Sequence, residues 1–238
     1  MSVHKTVPPL EPTNEHGKVS NPPPSTETYI VFVRHAKTST TGKILPGRAP
    51  GLHLSDEGQI QAREVASLLC TSYPDPAAIY ISPLERAQET ARPYIESLKT
   101  PSPVVESSPL IVECDFGEWT GRELKELYKL PEWAIVQHNP SKFRFPKGES
   151  FVEMLKRMTA FVAEAERQHP NGVVVAFSHA DTIKVAVTDA LGMHLDQFQR
   201  IQIDTASVSV VGVTNGVPRL ICMNSGSELP RKVSTVGT

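Results

Sequence analysis

Cysteine is scarce and scattered. Cys70, Cys114 and Cys222 are the only three in 238 residues, and no two form a Cys-x-x-Cys pair. An odd number at such wide spacing argues against a disulfide framework or a thiolate zinc site and suits a reducing compartment. Long apolar runs are missing too. No stretch approaches the roughly 18 residues that a membrane helix needs. The opening segment MSVHKTVPPLEPTNEHGKVSNPPPSTE has no apolar core, so no signal peptide is expected, and the protein is assigned to the cytoplasm with no membrane partner. Basic charge is not in excess either. Lys and Arg number 24 against 26 Asp and Glu, a net charge of −2. No positive field points to nucleic acid, so basic residues must act locally.

What is present is globular: 39% hydrophobic and 21% charged residues, in a length that suits one domain with a sizeable core. Residues 1–27 are rich in proline and poor in large apolar groups, so a flexible tail is expected there. Residues 225–238 resemble it. Residues 28–224 then form the domain. Four apolar runs read as strands: Tyr29–Val33, Ala78–Ser82, Gly172–Ser178 and Ser207–Val213. Helical patterns stand between them. Ala62, Val65, Ala66 and Leu69 recur on one face after Ser55, a predicted cap. Ser82, Pro83 and Glu85 spell a capping box, and Pro93 is expected to end or kink the helix that follows. Phe151, Met154, Leu155, Met158, Phe161, Val162 and Ala165 make one apolar stripe, read as core. Strand and helix alternation with apolar strands predicts an α/β fold: a three-layer αβα sandwich around a mostly parallel sheet.

In such sheets ligands bind beyond the carboxyl ends of the strands. Four basic residues fall at that edge. Arg34 and His35 close the first strand, His179 closes the Gly172–Ser178 run where a helix should begin, and Arg86 lies in the first turn after Ala78–Ser82. Cations are disfavoured at helix N-termini unless an anion compensates. A tetrahedral oxyanion is implied, and phosphate fits best.

The segments VRHAKT, SPLERAQET, ECDFGEWTG, FPKGES and SHADTIK together resemble the histidine phosphatase superfamily, the phosphoglycerate mutase-like fold. The likeness spans about four-fifths of the chain, Tyr29 to Asn224, and is nearest to a branch described only as phosphomutases or phosphatases. It implies a phosphatase that hydrolyses phosphomonoesters through a phosphohistidine, with no cofactor and no metal. His35 would be the nucleophile. Arg34 and Arg86 would clamp the equatorial oxygens, and His179 would stabilise the transferring group from the opposite side. Thr38 could add a hydroxyl contact, and Ala180 joins the substrate-binding set. Glu113 would protonate the leaving oxygen and later activate water, which requires burial to raise its pKa. Asp115 and Asp181 compete for that role and are otherwise read as capping or orienting groups. A small insertion over about residues 113–145 would cover the site.

Several positions depart from the pattern. Ala36 and Ala180 replace the usual glycines after the two histidines, Lys37 and Thr41 stand where mutases carry an acid and an asparagine, and Lys184 replaces a frequent arginine. No arginine pair suited to a phosphoglycerate carboxylate is evident. Hydrolysis is therefore favoured, with a phosphoglycerate mutase-like phosphomutase and a non-catalytic phosphate-binding pseudo-enzyme as the alternatives. Arg48, in the loop PGRAP, could reach the substrate or be a plain loop charge. Trp119 and Trp133 are read as packing residues, and His53, His138, His169 and His194 as surface or cap residues. The partner expected is a phosphorylated small molecule. The oligomeric state stays open, a dimer through sheet edges or helices included.

Overall fold

The computed structural model describes residues 27–99 and 103–232. The expected N-terminal tail lies outside them except for Glu27. Six strands form one sheet: β1 (Thr28–Arg34), β2 (Ala78–Ile81), β3 (Val104–Ser107), β4 (Val173–Ser178), β5 (Val208–Thr214) and β6 (Val217–Ser225). Their order across the sheet is β3-β2-β4-β1-β5-β6. The β3–β2, β2–β4 and β4–β1 pairs are parallel, while β1–β5 and β5–β6 are antiparallel.

The central strands are apolar on both faces because both faces are covered. Ile30, Phe32, Tyr80, Val174 and Ala176 point to one side, where helices α5 (Phe151–Gln168) and α6 (Ala180–Ala190) cover them. Val31, Val33, Ile79, Val175 and Phe177 point to the other, under α1 (Asp56–Ser72) and α2 (Glu85–Ser97). This is the expected three-layer sandwich. Two short helices, α3 (Leu124–Leu127) and α4 (Pro131–His138), lie in the long connection between β3 and α5. There Trp119 is buried and stacks on Trp133, with ring centroids 6.1 Å apart, so both tryptophans pack as read.

The cap expected at Ser55 forms, and a second one, at Ser150, was not anticipated. Ser55 accepts from the Gly58 amide at 3.1 Å, and Ser150 with Glu153 closes a full capping box on α5. The box expected at Ser82 does not form. Helix α2 starts later, with Leu84 as its cap residue and no side-chain cap, because the Ser82 hydroxyl is taken by a distant histidine. Pro93 does not end α2, which runs on to Ser97. The turn beyond the proline is held by Tyr94, fully buried, whose hydroxyl donates to the Tyr73 carbonyl at 2.5 Å.

Two strands escaped the sequence reading. Strand β3 is a four-residue edge with every residue exposed, and β6 is an irregular partner of β5. The Gly172–Ser178 run is therefore the fourth strand. Part of the expected C-terminal tail also lies against the domain. Leu229 packs on the core, and the Tyr73 hydroxyl donates to the Pro230 carbonyl at 2.6 Å. Residues 233–238 lie outside the described residues.

Candidate active site

Strands β1 and β4 are neighbours and parallel, so their last residues meet at one edge. The His35 amide donates to the Ser178 carbonyl at 2.9 Å, which sets His35 beside His179. Their rings lie 5.2 Å apart, centroid to centroid. His35 Nδ1 is 2.8 Å from the Ala36 carbonyl. A carbonyl only accepts, so Nδ1 carries the proton and Nε2 is left with its lone pair. Burial, with the charges of Arg86 and Arg34, holds the His35 pKa well below 6.5. The result is a neutral imidazole with a bare nitrogen.

The loop after His35 is pinned by both helices on that face. Thr90 of α2 accepts from the Ala36 amide at 2.9 Å, and Gln61 of α1 accepts from the Lys37 amide at 2.9 Å.

Arg86 is fully buried in the first turn of α2, where one nitrogen donates to the Gly47 carbonyl at 2.8 Å. Arg34 donates to the Ile203 carbonyl at 2.6 Å. Burial works against both guanidinium charges, and the nearby Glu113 offsets part of that cost. Among the described residues, six buried side-chain polar atoms have no protein partner. Four of them are Arg34 Nε, Arg86 Nε, Arg86 Nη1 and His179 Nδ1. Buried donors are nearly always paired. Four unpaired nitrogens on three residues around one histidine describe a cradle for an anion with several oxygens.

Glu113 is 7% exposed and accepts from the Cys114 amide at 2.9 Å. Its pKa is pushed up to about 7, first by burial and then by the Asp181 carboxylate, with Arg86 opposing. The raised value expected of the acid is therefore found. Its loop is held by a partly buried ion-pair hub. Arg48 Nε donates to the Glu113 carbonyl at 2.7 Å and Arg48 Nη2 to Glu149 at 3.1 Å. Arg157 grips Glu149 with two bonds of 2.7 and 3.0 Å and reaches the Leu110 carbonyl at 2.6 Å. Gly117, at φ +52°, closes the turn; a Cβ there would stand 2.0 Å from the Pro146 carbonyl oxygen.

The structure thus gathers Arg34, His35, Arg86, Glu113 and His179. Ala180 is the first residue of α6, directly after His179. Arg48 is committed to the loop of Glu113. The buried Thr38 bonds within its own turn, its hydroxyl 3.0 Å from that of Thr41. Asp115 accepts from the Gly117 amide at 3.0 Å, and Asp181 pairs with Lys184 at 3.3 Å, so both orient their surroundings. Glu149, Arg157 and Ser82 were missed as site residues. Glu149 stood inside the segment FPKGES, which was the available signal. Among the described residues no three His, Cys, Asp or Glu side chains gather as metal ligands, and no helix is long and apolar enough to cross a membrane.

A family model described as the histidine phosphatase superfamily (branch 1) matches residues 30–226. Phosphoserine phosphatase 1 of Hydrogenobacter thermophilus is 32% identical over 190 residues, which cover 76% of this chain and 85% of that protein. An acid phosphatase of Mycobacterium tuberculosis is 27% identical over 194 residues, covering 80% of this chain and 89% of that one. Among solved structures, a mutant phosphoserine phosphatase from Entamoeba histolytica in complex with phosphoserine has a TM-score of 0.73 at 25% identity, covering 84% of this chain and 98% of the other.

Proposed function

The chain belongs to the histidine phosphatase superfamily, and on that premise we propose that it hydrolyses small-molecule phosphomonoesters by way of a phosphoryl group carried on His35. Phosphatase activity comes with the family and with the relatives it matches. The observation that carries the assignment of roles is the cradle of four unpaired buried nitrogens beside a histidine whose Nε2 is bare.

Arg34 and Arg86 hold the phosphoryl oxygens and take up the charge that spreads over them as the group transfers. Nε2 of His35 attacks phosphorus, and the bond to the leaving oxygen breaks as Glu113 gives that oxygen its proton. The alcohol departs. Glu113, now a carboxylate, takes a proton from water as the water oxygen attacks phosphorus. The P–N bond breaks, its electron pair returns to Nε2, and inorganic phosphate leaves. Two easier displacements replace one hard one.

Hydrolysis is preferred to a mutase reaction because three basic residues on the catalytic segments themselves are already engaged. Lys37 pairs with Glu57, Arg48 with Glu149 and Lys184 with Asp181. These three are held by protein carboxylates and not by a substrate's. The three cysteines are unpaired, which suits a reducing compartment, and the cytoplasm is the location assigned here.

The test is hydrolysis of p-nitrophenyl phosphate without added metal by the wild type and by His35→Ala. Turnover is expected in the wild type and a loss to background in the variant. Full activity of the variant would remove His35 from the mechanism.

A further inference from the structure

Ser82 ends up far from the role its sequence neighbours suggested. Its Oγ lies 2.6 Å from Nε2 of His179, and both residues are completely buried. A hydrogen bond of that length has two senses, and the surroundings choose between them. The Leu84 amide also points at Ser82 Oγ, at 3.5 Å, and an amide can only donate. The hydroxyl's own proton has one acceptor within reach, which is Nε2 of His179. If Nε2 held the proton instead, the hydroxyl hydrogen would be buried without an acceptor. Nδ1 would then be a bare lone pair in the cradle that receives an anion. Both faults disappear when Ser82 donates.

We propose that Ser82 is a positioning residue: it donates to Nε2 of His179, so that the imidazole proton sits on Nδ1 and serves as a neutral donor to the transferring phosphoryl group. This rests on the reading of the site as a phosphoryl-transfer centre. The two histidines are then set by opposite devices. His35 gives its Nδ1 proton to a carbonyl and keeps Nε2 bare to attack, while His179 has Nε2 filled from Ser82 and keeps Nδ1–H to donate. Burial and the neighbouring Arg86 keep His179 uncharged, in agreement with a neutral donor.

The tautomer can be read directly. The full-length protein is labelled with 15N-histidine and saturated with inorganic phosphate, and long-range 1H–15N correlation spectra are recorded. The His179 signals are identified by their loss in His179→Gln. A protonated Nδ1 and a bare Nε2 are expected; a proton on Nε2 overturns the proposal. In Ser82→Ala the ring is expected to shift toward the Nε2–H form, and kcat for p-nitrophenyl phosphate to fall about tenfold or more, with KM much less affected. A folded Ser82→Ala enzyme that keeps both the Nδ1–H form and its kcat also overturns it. If that variant does not fold, the wild-type spectrum decides. A wild type with no turnover refutes the proposed function, and the spectrum still decides the tautomer.

Discussion

In the proposed mechanism His35 must be a bare base near pH 7 while Glu113 still holds a proton, and burial favours both. Removal from water penalises whichever form is charged, so it lowers the histidine and raises the carboxylic acid. Catalysis then requires pH values above the depressed His35 value and below the Glu113 value of about 7. The profile of kcat/KM against pH should fall on its alkaline side near 7. Glu113→Gln should lose that limb and run about 10²–10⁴-fold slower. An unchanged alkaline limb in the variant would assign it to another group. The same residue bears on stability. The folded pKa of Glu113 lies above its ordinary value of 4.5, so its contribution is fully present below 4.5 and is lost as pH rises through about 7. By pH 8 a buried charge is left, at a cost of about 3 kcal/mol. Urea unfolding should therefore find Glu113→Gln more stable than the wild type at pH 8, by up to about that amount, and no different at pH 4. Equal stability at both would contradict the burial of the charge.

The loop that carries His35 owes its position to α1. The Lys37 carbonyl accepts from the Ser55 amide at 3.0 Å, and it lies so close to the first turn that a Cβ on Gly58 would stand 2.0 Å from it. Gly58→Ala should therefore push helix and loop apart, cost about 1–3 kcal/mol and lower kcat with it; thermal unfolding and steady-state kinetics on the same preparation would show both. Activity and stability equal to wild type would mean that the close approach is dispensable. What could be read in the sequence divides along the same line of local against distant partners. Arg34, His35, Arg86 and His179 were legible because each stands where an apolar strand stops or a helix starts, and topology then brings those places together. The cap at Ser55 was legible because donor and acceptor are three residues apart. Ser82 was misread because its true partner is 97 positions away. Arg48 could be placed on a loop, but its direction is set by Glu113 and Glu149, which only the folded chain supplies. Strand β3, short and exposed along its length, has no pattern to detect.

Across the whole molecule the cradle is a standing electrostatic burden: Arg34 and Arg86 are largely buried, facing two histidines, with donors unmatched. An anion that binds the folded state alone should relieve this. At a hundred times its Kd, inorganic phosphate would add about 2.7 kcal/mol, a rise of about 5–10 °C in Tm for a chain of this size. Differential scanning fluorimetry should show that rise in the wild type and none in Arg86→Met. An equal rise in both would place the anion elsewhere. The strand order has a consequence of another kind. β4, late in the chain, lies between β2 and β1, which come much earlier. A ribosome therefore releases Arg34 and His35, after β1, and Arg86, after β2, long before the strand that joins those two strands. Until β4 emerges, β1 has no partner upstream of it and β2 can pair only with β3. On the proposed mechanism the growing polypeptide should be inert for most of its synthesis, and in refolding the return of turnover should coincide with insertion of the central strand, after the helices have formed.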